Sequence, residues 1–234
     1  MRTPFPGLEL RRHACISPGQ WEAIRPKLGA SAALAVDVAE AYGMELTGRK
    51  YAYYHAVGAR YSGFAEAPTN KTSHYFLKPG AINGRIDVGL VAYKTLHELV
   101  HKFRGELYAT DTVGELAATE GVAYNIDHLS RKDGFISTWN YSQATIMQCM
   151  HKVSRREMSE LYDELAKDMY KPIYDDEMLK KWWRPRREVG VRMIDLVGIA
   201  AVKSQLRQGY AAADIWQLPA AAALGYEETY ETAA

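Results

Sequence analysis

Residues 97–101 read His-Glu-Leu-Val-His, and this pentapeptide constrains the fold more than any other stretch of the chain. Histidines four positions apart stack on one face of an α-helix, a turn apart. In a strand they would also share a face, but too far apart to meet. Leu96, Val100 and Phe103 supply an apolar stripe beside the histidine face, so the spacing predicts a buried helix that offers two imidazoles to one point.

Two converging imidazoles with a glutamate between them have a specific chemical use. Neutral histidines hold a zinc ion, the open fourth position holds a water, and the metal makes that water acidic. Glu98 is turned ~100° from His97 around the helix axis, so it is expected to act on the metal-bound water as general base rather than to bind the ion. The bland alternative is a pair of satisfied core histidines, and a third ligand decides between the two readings.

Glu115 and Glu120 both lie at plausible distances downstream. Five positions apart on a helix, they are ~140° apart around the axis and cannot both face one metal. Leu116, Ala117, Ala123 and Tyr124 surround Glu120 at helical spacing, which puts a carboxylate at the centre of an apolar face, costly unless it is paired or metal-bound. Glu115 shares its side with Ala118, Thr119 and Val122 and suits the opening turn of a helix, where negative charge is favoured. Glu120 is therefore the expected third ligand, with Glu115 as the alternative.

Eighteen residues separate His101 from Glu120, and the chain here resembles the gluzincin metallopeptidases, whose pattern is HExxH, eighteen residues, then Glu. Glu120-Gly121-Val122-Ala123 is similar to the Glu-Gly-x-Ala stretch of several gluzincin branches. More loosely, through Glu115, Thr119 and Gly121, the chain is similar to short zinc-protease effectors that some bacteria inject into host cells. The resemblance spans residues 85–124 and implies a zincin-like α+β fold, in which a strand bordering the cleft pairs with an extended peptide.

The local pattern agrees with that implication. Ile86, Val88 and Leu90 alternate with Arg85, Asp87 and Gly89, which predicts a strand over Arg85–Val91; by its position the resemblance implies that it is the edge strand bordering the cleft. A partner strand at His74–Leu77 and a further one at Tyr51–Val57 are expected, with turn residues at 78–84. Ahead of them, Ser17-Pro18 with Gln20 opens a helix expected to end near Leu28-Gly29, and a second runs from Ser31 to Tyr42 before Gly43. Helices are expected at 92–103, from 112 to 128, from Ser142, from Ser154 (with Glu157 as capping box) to Asp168, and at 188–208. The expected organisation is an α/β part at 1–103 carrying the metal helix and a mainly helical part at 104–234 carrying the third ligand, with a cleft between them.

On this reading the chain is a zinc-dependent metallopeptidase. The alternatives are a zinc amidase of a small metabolite and a non-catalytic, zinc-stabilised interaction protein, the last disfavoured by Glu98 and by a set of only three protein ligands. Tyr124, His128, His151, Tyr170 and Tyr174 are eligible donors to the oxyanion of the tetrahedral intermediate, and spacing does not choose among them. Asp127 and Asp111 are candidate acceptors for the outer histidine nitrogens.

Composition limits the partners. With 29 Lys+Arg against 28 Asp+Glu, no global field gathers nucleic acid or an anionic membrane. Arg184, Arg186 and Arg187 behind Trp182 and Trp183 are better read as packed tryptophans with solvated arginines than as a nucleic-acid surface. No signal peptide is recognisable, the apolar stretch 189–202 is too short and too charged to span a membrane, and two unpaired-looking cysteines, Cys15 and Cys149, favour a reduced, cytoplasmic setting.

Overall fold

The computed structural model describes residues 8–12, 17–45, 50–55, 63–65, 72–77, 88–130, 150–185 and 190–226. The chain divides into two compact units, one formed by Met1–Phe103 with Asp127–Asn140, the other by Arg104–Ile126 with Tyr141–Ala234. Among the described residues no helix is long and apolar enough to cross a membrane.

In the first unit, helix α1 runs unbroken over Pro18–Ala41. Its start is the expected capping box: Ser17 Oγ accepts from the Gln20 amide, and the Gln20 side chain accepts from the Ser17 amide. The expected break at Gly29 does not occur, because Leu28, Ala32, Ala35, Val36 and Ala39 form one continuous buried face to which a small Gly29 is suited. Tyr42 caps the far end and Gly43, at φ +75°, reverses the chain so that the Met44 amide reaches back to Ala39 O.

Short strands β1 (Leu8–Arg11), β2 (Lys50–His55), β3 (Gly63–Ala65) and β4 (Thr72–Leu77) lie side by side in the order β1-β2-β4-β3. β1, β2 and β4 are parallel, and β3 is antiparallel to β4.

Over Val88–Val91 the strand expected at Arg85–Val91 is replaced by helix. Helix α2 occupies Val88–Leu107, so Val88–Val91 form the first turn of the helix that carries His97 and His101. The expected zincin-like α+β fold, with an edge strand leading into the active-site helix, is thereby overturned. The described buried side chains all belong to helices and their adjoining turns, and the described residues are predominantly helical. The physical reason is that a short alternating run is compatible with both periods. Val91, Ala92, Leu96, Leu99, Val100 and Phe103 are buried at helical spacing, and Val88 extends the same stripe backwards. The remaining part of that expected strand, residues 85–87, lies outside the described residues, as do the turn at 78–84 and the expected start of a helix at Ser142.

The second unit is built around α3 (Val113–Ser130), α4 (Arg155–Asp168) and α5 (Met193–Arg207). Its core joins Val113, Ala117 and Ala118 of α3 to Leu161 and Leu165 of α4, to Trp182, and to Ile194, Leu196 and Val197 of α5. α4 opens on the expected Ser154/Glu157 capping box. The first amides of α3 are satisfied by the chain that leaves α4: Val113 donates to Lys171 O and Gly114 to Met169 O. α3 and α5 cross so closely at Gly121 and Gly198 that a Cβ on either would overlap the backbone of the other helix. Asn125 fixes the crossing by donating to both Gly121 O and Ile199 O.

The tryptophan pair is divided between core and surface. Trp182 is fully buried and donates its indole N–H to the Asp168 carboxylate at 3.0 Å. Burial opposes the charge on Asp168, but hydrogen bonds from Lys171, Lys181 and Trp182 outweigh it and pull its pKa down to about 2. Arg184 is exposed, while Arg186 and Arg187 lie outside the described residues.

Candidate metal centre

α2 carries His97 and His101 on one face, half-buried, with the apolar stripe of Leu96, Val100 and Phe103 beside them. Their Nε2 atoms are 3.2 Å apart and their ring centroids 4.9 Å apart. That nitrogen separation has a direct chemical meaning. Two zinc–nitrogen bonds of ~2.0–2.1 Å at a tetrahedral angle place their nitrogens about 3.3 Å apart. Tyr93, one turn before His97, is buried with its ring 6.4 Å from the imidazole and narrows the space in which that ring can turn.

α3 carries Glu120, which is 4 % exposed. One ligand atom from each of His97, His101 and Glu120 falls within 4.8 Å of the other two, a grouping able to hold a metal ion. Two imidazole nitrogens and a carboxylate oxygen are a donor set suited to a divalent metal ion, so the residues present fit such an ion.

Glu115, the alternative third ligand, is committed elsewhere. Its Oε2 accepts from Arg104 Nη2 at 2.9 Å and its Oε1 from the Ala220 amide at 2.9 Å. Arg104 has no exposed side-chain surface, and it also donates to Thr119 Oγ1 and to the carbonyls of Trp216 and Leu218. Burial pulls its guanidinium below the ordinary value, and Glu115 opposes that shift. A carboxylate held this way on both oxygens belongs to a structural network that anchors the chain at 216–220.

The second oxygen partner of the metal group is a residue that sequence reasoning passed over. Arg192, the residue before α5, donates from Nη2 to Glu120 Oε1 at 2.8 Å and from Nε to Asp195 Oδ2 at 2.7 Å. Its guanidinium carbon lies 4.1 Å from the centre of the Trp183 ring. Burial lowers its pKa, but Glu120 and Asp195 outweigh that effect and hold it above the ordinary arginine value. The sequence did contain a signal: Arg192 and Asp195 stand three apart inside an otherwise apolar run, where charges persist only if paired.

Of the five eligible oxyanion donors, Tyr170 and Tyr174 are 76 % and 74 % exposed and His151 is exposed, each on the surface of the second unit. Tyr124 is half-buried, one turn beyond Glu120 on α3, and close enough to raise the pKa of Arg192 electrostatically. The side chains of His128 and Asp127 lie outside the described residues, and Asp111 is exposed with its carbonyl accepting from the Ile173 amide. Glu98 is half-buried between the two histidines in sequence.

Comparison of the chain with protein-family models, with curated proteins and with solved structures finds no match.

Proposed function

We propose that this chain is a zinc-dependent hydrolase of amide bonds, with His97, His101 and Glu120 as metal ligands, Glu98 as general base and peptides as substrates. The observation that carries the reading is the grouping of His97, His101 and Glu120 about one point, with the two Nε2 atoms at the spacing a shared zinc requires. A glutamate next to the first histidine completes the hydrolytic set.

Zinc at such a site acidifies a water and polarises the scissile carbonyl. The chain supplies the rest. His97 and His101 present their rings from a rigid helix, and Glu98 takes the proton of the attacking water and returns it to the leaving amine. Tyr124, half-buried one turn beyond Glu120 on α3, is assigned as donor to the developing oxyanion.

With Val88–Val91 in the first turn of α2, pairing of an extended substrate along a strand over these residues no longer supports the peptide reading. What supports it is the ligand spacing of the gluzincin pattern, His97 and His101 followed by Glu120 after eighteen residues. The test is hydrolysis by zinc-loaded protein of an unbiased peptide library beside a panel of small acylated amides, with and without a zinc chelator. Peptide cleavage that falls at least 100-fold on chelation and returns with added zinc is the expected result. Cleavage of small amides alone would move the substrate class to metabolites, and cleavage of neither would overturn the hydrolase reading.

A further inference from the structure

Glu120 reaches the histidines from a helix whose neighbour is fixed with unusual closeness. The Gly121/Gly198 crossing and the bonds of Asn125 to Gly121 O and Ile199 O leave α5 little freedom to slide along α3. Arg192, the N-cap of α5, is thereby delivered to the residue beside Gly121. Arg192 meets Glu120 at 2.8 Å and is itself held by Asp195 at 2.7 Å, with Trp183 against its face at 4.1 Å.

We infer that Arg192 is a positioning residue for the third metal ligand: clamped by Asp195 and Trp183, it fixes the Glu120 carboxylate in the orientation that meets His97 and His101. The inference rests on the metal reading proposed above. A carboxylate on a free side chain rotates about its last bond and loses that freedom each time it binds an ion. Here one oxygen is tied before any ion arrives, so less order has to be gained on binding. The guanidinium is suited to this because its planar fork directs Nε to one carboxylate and Nη2 to the other, whereas an ammonium is a point charge with no such division.

The measurements are zinc affinity, by competition with a chromophoric chelator, and the visible spectrum of the cobalt-substituted protein. They are made on wild type, Arg192→Lys and Arg192→Gln, each checked for native helix content by circular dichroism. Weakening of zinc binding by roughly 10-fold in Arg192→Lys and roughly 100-fold in Arg192→Gln is expected. The cobalt bands should shift in both variants, because the ligand field follows the carboxylate orientation. Should Arg192→Gln fail to fold, Arg192→Lys, which keeps the charge, carries the comparison alone. Wild-type zinc affinity and an unchanged cobalt spectrum in the folded variants would overturn the inference, reduce Arg192 to a structural ion pair and leave the metal site standing. A wild-type protein that binds no zinc would overturn the metal reading and this inference with it.

Discussion

Glu98→Gln is expected to keep the wild-type zinc content and helix content while losing turnover by about 10²–10⁴-fold, the usual contribution of a positioned general base. Glutamine has nearly the same size and still accepts a hydrogen bond, but it cannot take a proton. The side chain is assigned no bond to the metal, because it is turned away from the shared direction of His97 and His101 on α2. Glu106, the other acid of α2, is exposed near the end of the helix and is no substitute. Elemental analysis of purified protein beside hydrolysis rates at matched zinc loading checks the expectation. Wild-type turnover in a fully loaded Glu98→Gln protein would show that the base is another group.

Glu115→Ala should damage the fold and spare the metal. Arg104 has no exposed side-chain surface, and its one described carboxylate partner is Glu115. Removing that partner leaves a buried cation, a change that destabilises by about 3–5 kcal/mol in comparable cases. In a chain of this size the loss lowers Tm by roughly 10 °C or more. The Ala220 amide loses its acceptor as well, which loosens the chain near 216–220. Zinc content of the folded fraction at low temperature should stay near one per chain. A protein that melts as wild type does but has lost its zinc would return Glu115 to the metal and contradict the assignment of Glu120.

The legible parts of the molecule were those whose signals are local. His97 and His101 are brought together by helical spacing alone, and the capping boxes at Ser17 and Ser154 formed as their side chains dictate. Glu120, expected as a ligand because its carboxylate stands on an apolar face, lies in the group with His97 and His101 that could hold a metal ion. The strand expected at Arg85–Val91 fails over Val88–Val91 because Val88 and Leu90 also fit the first turn of a longer helix, whose long buried stripe favours the helical period. Gly29 stays inside α1 and Gly43 ends it, because a glycine reverses a helix where the chain turns through positive φ, as it does at Gly43.

Arg192 and Arg104 were illegible for a different reason. Each acts on a carboxylate distant in sequence, Arg192 on Glu120 and Arg104 on Glu115, and the pairing depends on how α5 crosses α3 and on how the chain near 216–220 returns to Arg104. Nothing in the spacing of one sequence fixes those crossings. The Gly121/Gly198 contact depends on the same tertiary geometry, since either glycine alone is unremarkable.

Zinc stoichiometry in Glu120→Ala beside wild type tests the central claim most directly. Elemental analysis after dialysis against a weak chelator should find close to one zinc per wild-type chain and almost none in Glu120→Ala or His97→Ala, with native helix content in all three. Full retention of zinc by folded Glu120→Ala would contradict the account, since the ion would then be held by residues other than the His97/His101/Glu120 group.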